Sequence, residues 1–156
     1  QHLRGTFGNP RDLAHDGRWG NVVTVNGRST PRIAVRPGER IRLRLLNVAN
    51  GRVFSPDFSG LDAKVIAVDG LYAAHPLSPA GFELAPGNRL DLDITIPPDN
   101  AGKRFAILDR FTRQPISLAE IVVEGERVES PQFESPARAH IPHWQPVPEA
   151  TPPRVD

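Results

Sequence analysis

Five histidines, His2, His15, His75, His140 and His143, are the side chains in this sequence best suited to metal or proton chemistry. Imidazole binds transition metals and exchanges protons near neutral pH. A metal site, however, takes several donors from fixed positions. His140-Ile-Pro-His143 is the one close pair, and it lies on a proline-broken stretch that fixes no geometry. It reads as an adventitious pair. His75 precedes Pro76 and has no carboxylate nearer in sequence than Asp69. It reads as a solvated or loop-packing histidine.

The arginines form the sharpest local pattern. Arg40, Arg42 and Arg44 alternate with Ile41, Leu43 and Leu45, and Arg32, Arg36 and Arg52 lie nearby in sequence. Period-two alternation sets the arginines on one face of a strand and the apolar residues on the other. Such a face could hold phosphates. Asp91 and Asp93 alternate in the same way with Leu90, Leu92 and Ile94. Glu120, Glu124, Glu126 and Glu129 gather near the last apolar run, where a solvated edge explains them better than an acid–base pair. There is no Gly-x-Ser-x-Gly elbow and no Gly-x-x-x-x-Gly-Lys phosphate loop, so nucleophilic catalysis finds no support.

The elements that position these residues are short. The chain has 156 residues, 38% hydrophobic and 24% charged, which fits one soluble domain with a real core. Its 17 prolines and 13 glycines suit many strands joined by turns and argue against long helices. The net charge of +1 supplies no global basic field, which argues against a nucleic-acid partner. No apolar run of about 18 residues exists to span a membrane. Cysteine and methionine are both absent, which excludes disulfides and thiolate sites. The start, Gln1-His-Leu-Arg, shows no signal-peptide core. With no Met at position 1, a processed or excised chain is expected.

Residues 1–16 read as an irregular lead-in, residues 17–126 as the folded domain and residues 127–156 as a proline-rich linker. Val22–Val25 is expected to be a strand, turned by Asn26-Gly27. Ile33–Val35 and Arg40–Leu46 follow, divided by the Pro37-Gly38 turn. Arg52–Phe54 is expected to start a strand that Pro56 ends or kinks. Ala63–Val68 is expected to be a strand, residues 71–79 a loop with prolines, and Gly81–Leu84 short and extended. Pro86-Gly87 repeats the earlier turn before the strand Leu90–Ile96. Arg104–Leu108 and Leu118–Val123 complete about eight strands, spaced as in a sandwich or barrel. The expected core is Ile41, Leu43, Leu45, Val65, Ile66, Val68, Leu90, Leu92, Ile94 and Ile107, with one of the neighbours Val65 and Ile66 pointing fully inward. Phe133 and Trp144 are expected to anchor the tail on a surface.

Five stretches in order carry a family resemblance: Val25-Asn-Gly27, Val35–Arg40, Arg42–Asn47, Val65–Gly70 and Leu84–Asp91. Together they resemble the middle, second domain of a laccase-like multicopper oxidase. The resemblance implies an all-β, cupredoxin-like Greek-key β-sandwich. It also implies a parent oxidoreductase that oxidises substrates one electron at a time and reduces dioxygen to water, in the periplasm or secreted.

In that family, blue copper needs a Cys thiolate with two His, and the trinuclear cluster uses His-x-His pairs from the first and last domains. This chain has no Cys, no Met and no His-x-His. The resemblance therefore implies no catalytic, cofactor or metal residues here, with copper in the flanking cupredoxin domains of the same polypeptide, which are the expected partners. The strands after the two Pro-Gly turns lie side by side in that fold, so Arg42 and Arg44 are expected to pair with Asp91 or Asp93. The alternative reading is a stand-alone, non-redox β-sandwich binding or scaffold module of the cell envelope.

Overall fold

Two Pro-Gly turns set the frame. In the computed structural model, which describes residues 20 and 22–130, Gly38 and Gly87 have φ of +82° and +87°. Only glycine adopts this region freely. Each turn launches an alternating strand, β2 (Arg40–Leu46) and β6 (Arg89–Thr95). These pair antiparallel, with Leu43 opposite Leu92 and Arg42 opposite Asp93. The pair is closed alike at both ends. Gly38 N–H donates to Ile96 O at 3.0 Å, and Gly87 N–H donates to Asn47 O at 2.8 Å.

The remaining strands are β1 (Arg32–Val35), β3 (Pro56–Asp57), β4 (Asp62–Val68), β5 (Leu71–Leu77), β7 (Arg104–Asp109) and β8 (Ile116–Val123). They form two four-stranded sheets, ordered β1-β8-β7-β3 and β2-β6-β4-β5. β1 joins β8 in parallel, and the other strand pairs are antiparallel. Among the described residues, the helical content is one 3-10 turn, Pro98–Asn100. The expected all-β sandwich is what forms.

The core lies between the sheets. Val65, Leu92, Ile94, Ile96, Ile121 and Val123 are fully buried, with Leu90 and Ile107 close behind. Ile41, Leu43, Leu45 and Val68 pack against that core while partly exposed. Val65 points inward. Ile66 does not join the core: strand alternation turns it to the face opposite Val65, and the bulge between Val65 and Ala67 brings Val68 back inward. Burial fades toward β5. Leu43, Leu92, Val65 and Leu77 form one cross-strand row, and Leu45, Leu90, Val68 and Leu71 another. Leu77 is 36% exposed and Leu71 76%. The facing sheet ends there in β3, two residues long.

Three expectations are corrected. Residues 71–77 form edge strand β5, not a loop. An edge strand tolerates Pro76, which has no N–H to donate. Val22–Val25 forms no strand, only the bridge Val25–Arg28 around Asn26-Gly27. Pro56 opens β3 instead of ending a strand, and Phe54 makes a single bridge to Leu84. The expected lead-in and the tail, with Phe133, Trp144 and all histidines but His75, lie outside the described residues.

Candidate functional site

The outer face of the β2-β6-β4-β5 sheet carries the charged residues. Arg40 Nε donates to Asp93 Oδ1 at 2.7 Å, and its Nη2 makes a second bond to the same carboxylate. Arg42 Nε donates to Asp91 Oδ2 at 2.9 Å, and Arg44 Nε lies 3.3 Å from the same oxygen. The expected pairing of arginines with Asp91 and Asp93 forms across neighbouring antiparallel strands. Each of the three guanidiniums lies on one of the two carboxylates, so the positive charge is largely paired within the sheet and the face is no bare phosphate cradle.

Tyr72 joins this face from β5. Arg42 Nη1 donates to its hydroxyl at 3.1 Å. That bond, followed by the Asp91 bond, raises the Arg42 pKa above its usual value. Arginine is charged at any working pH, so the shift has no titration consequence. Nothing in the sequence marks Tyr72 for this face, because the prolines in residues 71–79 predict a loop there.

On the outer face of the β1-β8-β7-β3 sheet, Glu120 sits between Arg104 Nη1 at 3.2 Å and Arg32 Nε at 3.4 Å. Glu124, Glu126 and Glu129 are exposed. No acid–base pair forms there.

Asp57, on β3, accepts bonds from Ser59 N–H, Ser59 Oγ and Arg110 Nε. The Ser59 hydroxyl first, and the Arg110 bond next, hold its carboxyl down at about 2. Shallow clefts of about 270 and 360 Å³ flank it, lined by Pro56, Phe58, Leu61, Pro79 and Ala80 on the apolar side. Their hydroxyl–carboxylate contact, Ser59 Oγ on Asp57, rests on a carboxyl held down at about 2, too weak a base to activate a serine.

Two buried polar residues anchor backbone. Asn47 donates from Nδ2 to Arg52 O at 2.7 Å and Leu84 O at 2.8 Å, and its Oδ1 accepts Ala49 N–H at 2.9 Å. Asp109, with no exposed surface, accepts Ser55 N–H at 2.8 Å and Phe111 N–H at 3.1 Å on Oδ1. Its Oδ2 has no partner among the described residues. An Asn at a strand end is a turn signal that could have pointed to Asn47. Nothing in the run Phe105–Asp109 marks the aspartate as buried.

Copper does not fit these residues. His75 is the one histidine among the described residues, and it is exposed on β5. No group of three or more His, Cys, Asp or Glu side chains converges among the described residues. The whole chain lacks the thiolate that a blue copper centre takes.

A two-sheet sandwich of this build, with polar residues spent on backbone and cross-strand pairing, is a cupredoxin-like domain. The multicopper oxidase family profile matches residues 5–125, and the chain belongs to that family. It is 39% identical over 107 residues to Multicopper oxidase LPR2 of Arabidopsis thaliana, covering 68% of this chain and 18% of that protein. It is 34% identical over 104 residues to the cell division protein FtsP of Yersinia pestis, covering 63% of this chain and 22% of that protein. The chain thus spans about a fifth of the length of these relatives. Among solved structures, a multi-copper oxidase from Pseudomonas thermotolerans superposes with a TM-score of 0.70 at 28% identity, over 84% of this chain and 31% of that one.

Proposed function

We propose that this chain is the copper-free middle cupredoxin domain of a multicopper oxidase. Its work is to hold copper-bearing flanking domains of the same polypeptide apart and in register. The parent enzyme oxidises substrates and reduces dioxygen to water, in the periplasm or outside the cell. Residues 17–126 are the domain, residues 1–16 lead into it and residues 127–156 connect it to the next domain. The carrying observation is the ligand inventory. A family built on thiolate and imidazole ligation is here represented by a chain with no Cys, no Met and five scattered His.

A specific observation favours a second reading. The similarity to FtsP, a cell division protein, supports a non-redox scaffold of the cell envelope. One experiment separates the two. The 156-residue chain and the full gene product are each loaded with Cu(II), dialysed, and assayed for bound copper, absorption near 600 nm and turnover of a phenolic dye. The spacer reading expects all three in the full product and none in the chain. A full product without bound copper establishes the scaffold, and a strong blue band in the chain alone overturns both readings.

A further inference from the structure

The two Pro-Gly turns are built alike and differ in one neighbour. In each, the fourth residue's N–H closes onto the first residue's carbonyl, Glu39 to Arg36 at 3.1 Å and Asn88 to Ala85 at 2.9 Å. In each, the fourth side chain accepts the first residue's N–H, at Glu39 Oε2 (2.7 Å) and Asn88 Oδ1 (2.9 Å). A Cβ added at Gly87 would meet nothing within 4 Å, whereas one at Gly38 would stand 2.1 Å from the Val128 carbonyl oxygen. Gly38 is therefore required twice, once by its φ and once by another piece of chain.

That piece is residues 124–130, which leave β8 and cross to the rim of the other sheet. Glu124 N–H donates to Val35 O at 2.8 Å, and Val128 N–H donates to Pro37 O at 2.9 Å. Arg40 N–H, on the free edge of β2, donates to Ser130 Oγ at 2.9 Å. The strap thus ties the two sheets together and covers the start of an otherwise open strand edge.

We propose that the Pro37-Gly38 turn is the docking point of this strap and fixes the course of the chain from β8 to Ser130. Joined to the spacer reading on which its purpose rests, this makes Gly38 a positioning residue for whatever follows the domain. The two matched turns supply their own control, because Gly38→Ala and Gly87→Ala carry the same φ strain and only the first meets the strap.

The test is amide hydrogen exchange on the 156-residue chain. In Gly38→Ala, the Val128 and Arg40 amides are expected to exchange at least roughly tenfold faster relative to the ladder amides of β6, and in Gly87→Ala that ratio stays within about twofold. An unchanged ratio in Gly38→Ala, or an equal rise in Gly87→Ala, overturns the proposal. Should Gly38→Ala fail to fold, Ser130→Ala decides. It removes the oxygen that accepts the Arg40 N–H, so a ratio at Arg40 raised at least about threefold supports the strap and an unchanged one overturns it. The readout needs no copper and no flanking domain. It can therefore fail while the spacer reading stands, or hold while the copper assay refutes that reading.

Discussion

The Arg42 guanidinium lies over the Tyr72 ring, 5.4 Å from its centroid, and donates to the ring's hydroxyl at 3.1 Å. The contact reaches from β2 to β5, across β6 and β4. Ala67, in the row between Asp91 and Tyr72, lies on the outer face yet is 2% exposed. Its small side chain leaves the two larger ones room to meet. Tyr72→Phe keeps the ring over the cation and is expected to cost less than about 0.5 kcal/mol. Tyr72→Ala removes the stacking, worth about 0.5–1 kcal/mol at exposed sites, and uncovers Ala67. Urea unfolding of the two variants checks the order, and equal losses would show that the hydroxyl carries the contact.

Asp57 should make stability depend on acid. Its folded pKa, about 2, lies below the 3.8 of an ordinary Asp carboxyl. A depressed carboxylate stabilises the fold above its unfolded pKa, and that contribution is lost as pH falls from about 4 toward 2. Asp57→Asn is therefore expected to be less stable than the parent at pH 7, with the gap closing near pH 2. Thermal unfolding across that range reads it, and a gap that persists at pH 2 would assign the loss to packing.

Asp109 offers a sharper case. Asp109→Ala leaves the Ser55 and Phe111 N–H groups without their acceptor, at roughly 1–3 kcal/mol for each buried donor left bare. Asp109→Asn keeps the accepting oxygen and replaces only the second oxygen, which has no partner among the described residues. It is expected to cost less than half the Ala loss at neutral pH. Chemical denaturation of both variants measures this.

Val65 and Ile66, adjacent on β4 and on opposite faces, should respond unequally. Val65→Ala empties space in the fully buried centre and is expected to cost roughly 1.5–3 kcal/mol. Ile66→Ala, outside the core cluster, should cost less than about half of that, although it deletes the larger side chain. Equal losses in denaturant midpoints would place Ile66 in the core.

What could be read in the sequence was what local rules control. The two Pro-Gly turns and the alternation that follows them gave β2 and β6, and with the family resemblance the Arg–Asp pairs across them. What failed depended on partners elsewhere in the chain. Residues 71–77 look like a loop because Pro76 interrupts them. They form a strand because they lie at an edge, where a missing donor leaves no partner bare. Val22–Val25 has the composition of a strand and finds no ladder beyond one bridge. Tyr72 and Asp109 were invisible for the same reason, since one needs β5 in place and the other needs β3 beside β7.

The parallel pairing of β1 with β8 bears on how this domain is made. β1 is the first of the named strands to be synthesised and β8 the last, and Arg32 pairs with Glu120. Parallel neighbours cannot close as a local hairpin. The first sheet therefore stays open until the end of β8 has left the ribosome or crossed a translocation pore. For that interval Ile33 and Val35 present apolar side chains with no ladder beside them. The β1-β8 ladder, and with it the full sheet, can form only after the last strand has emerged.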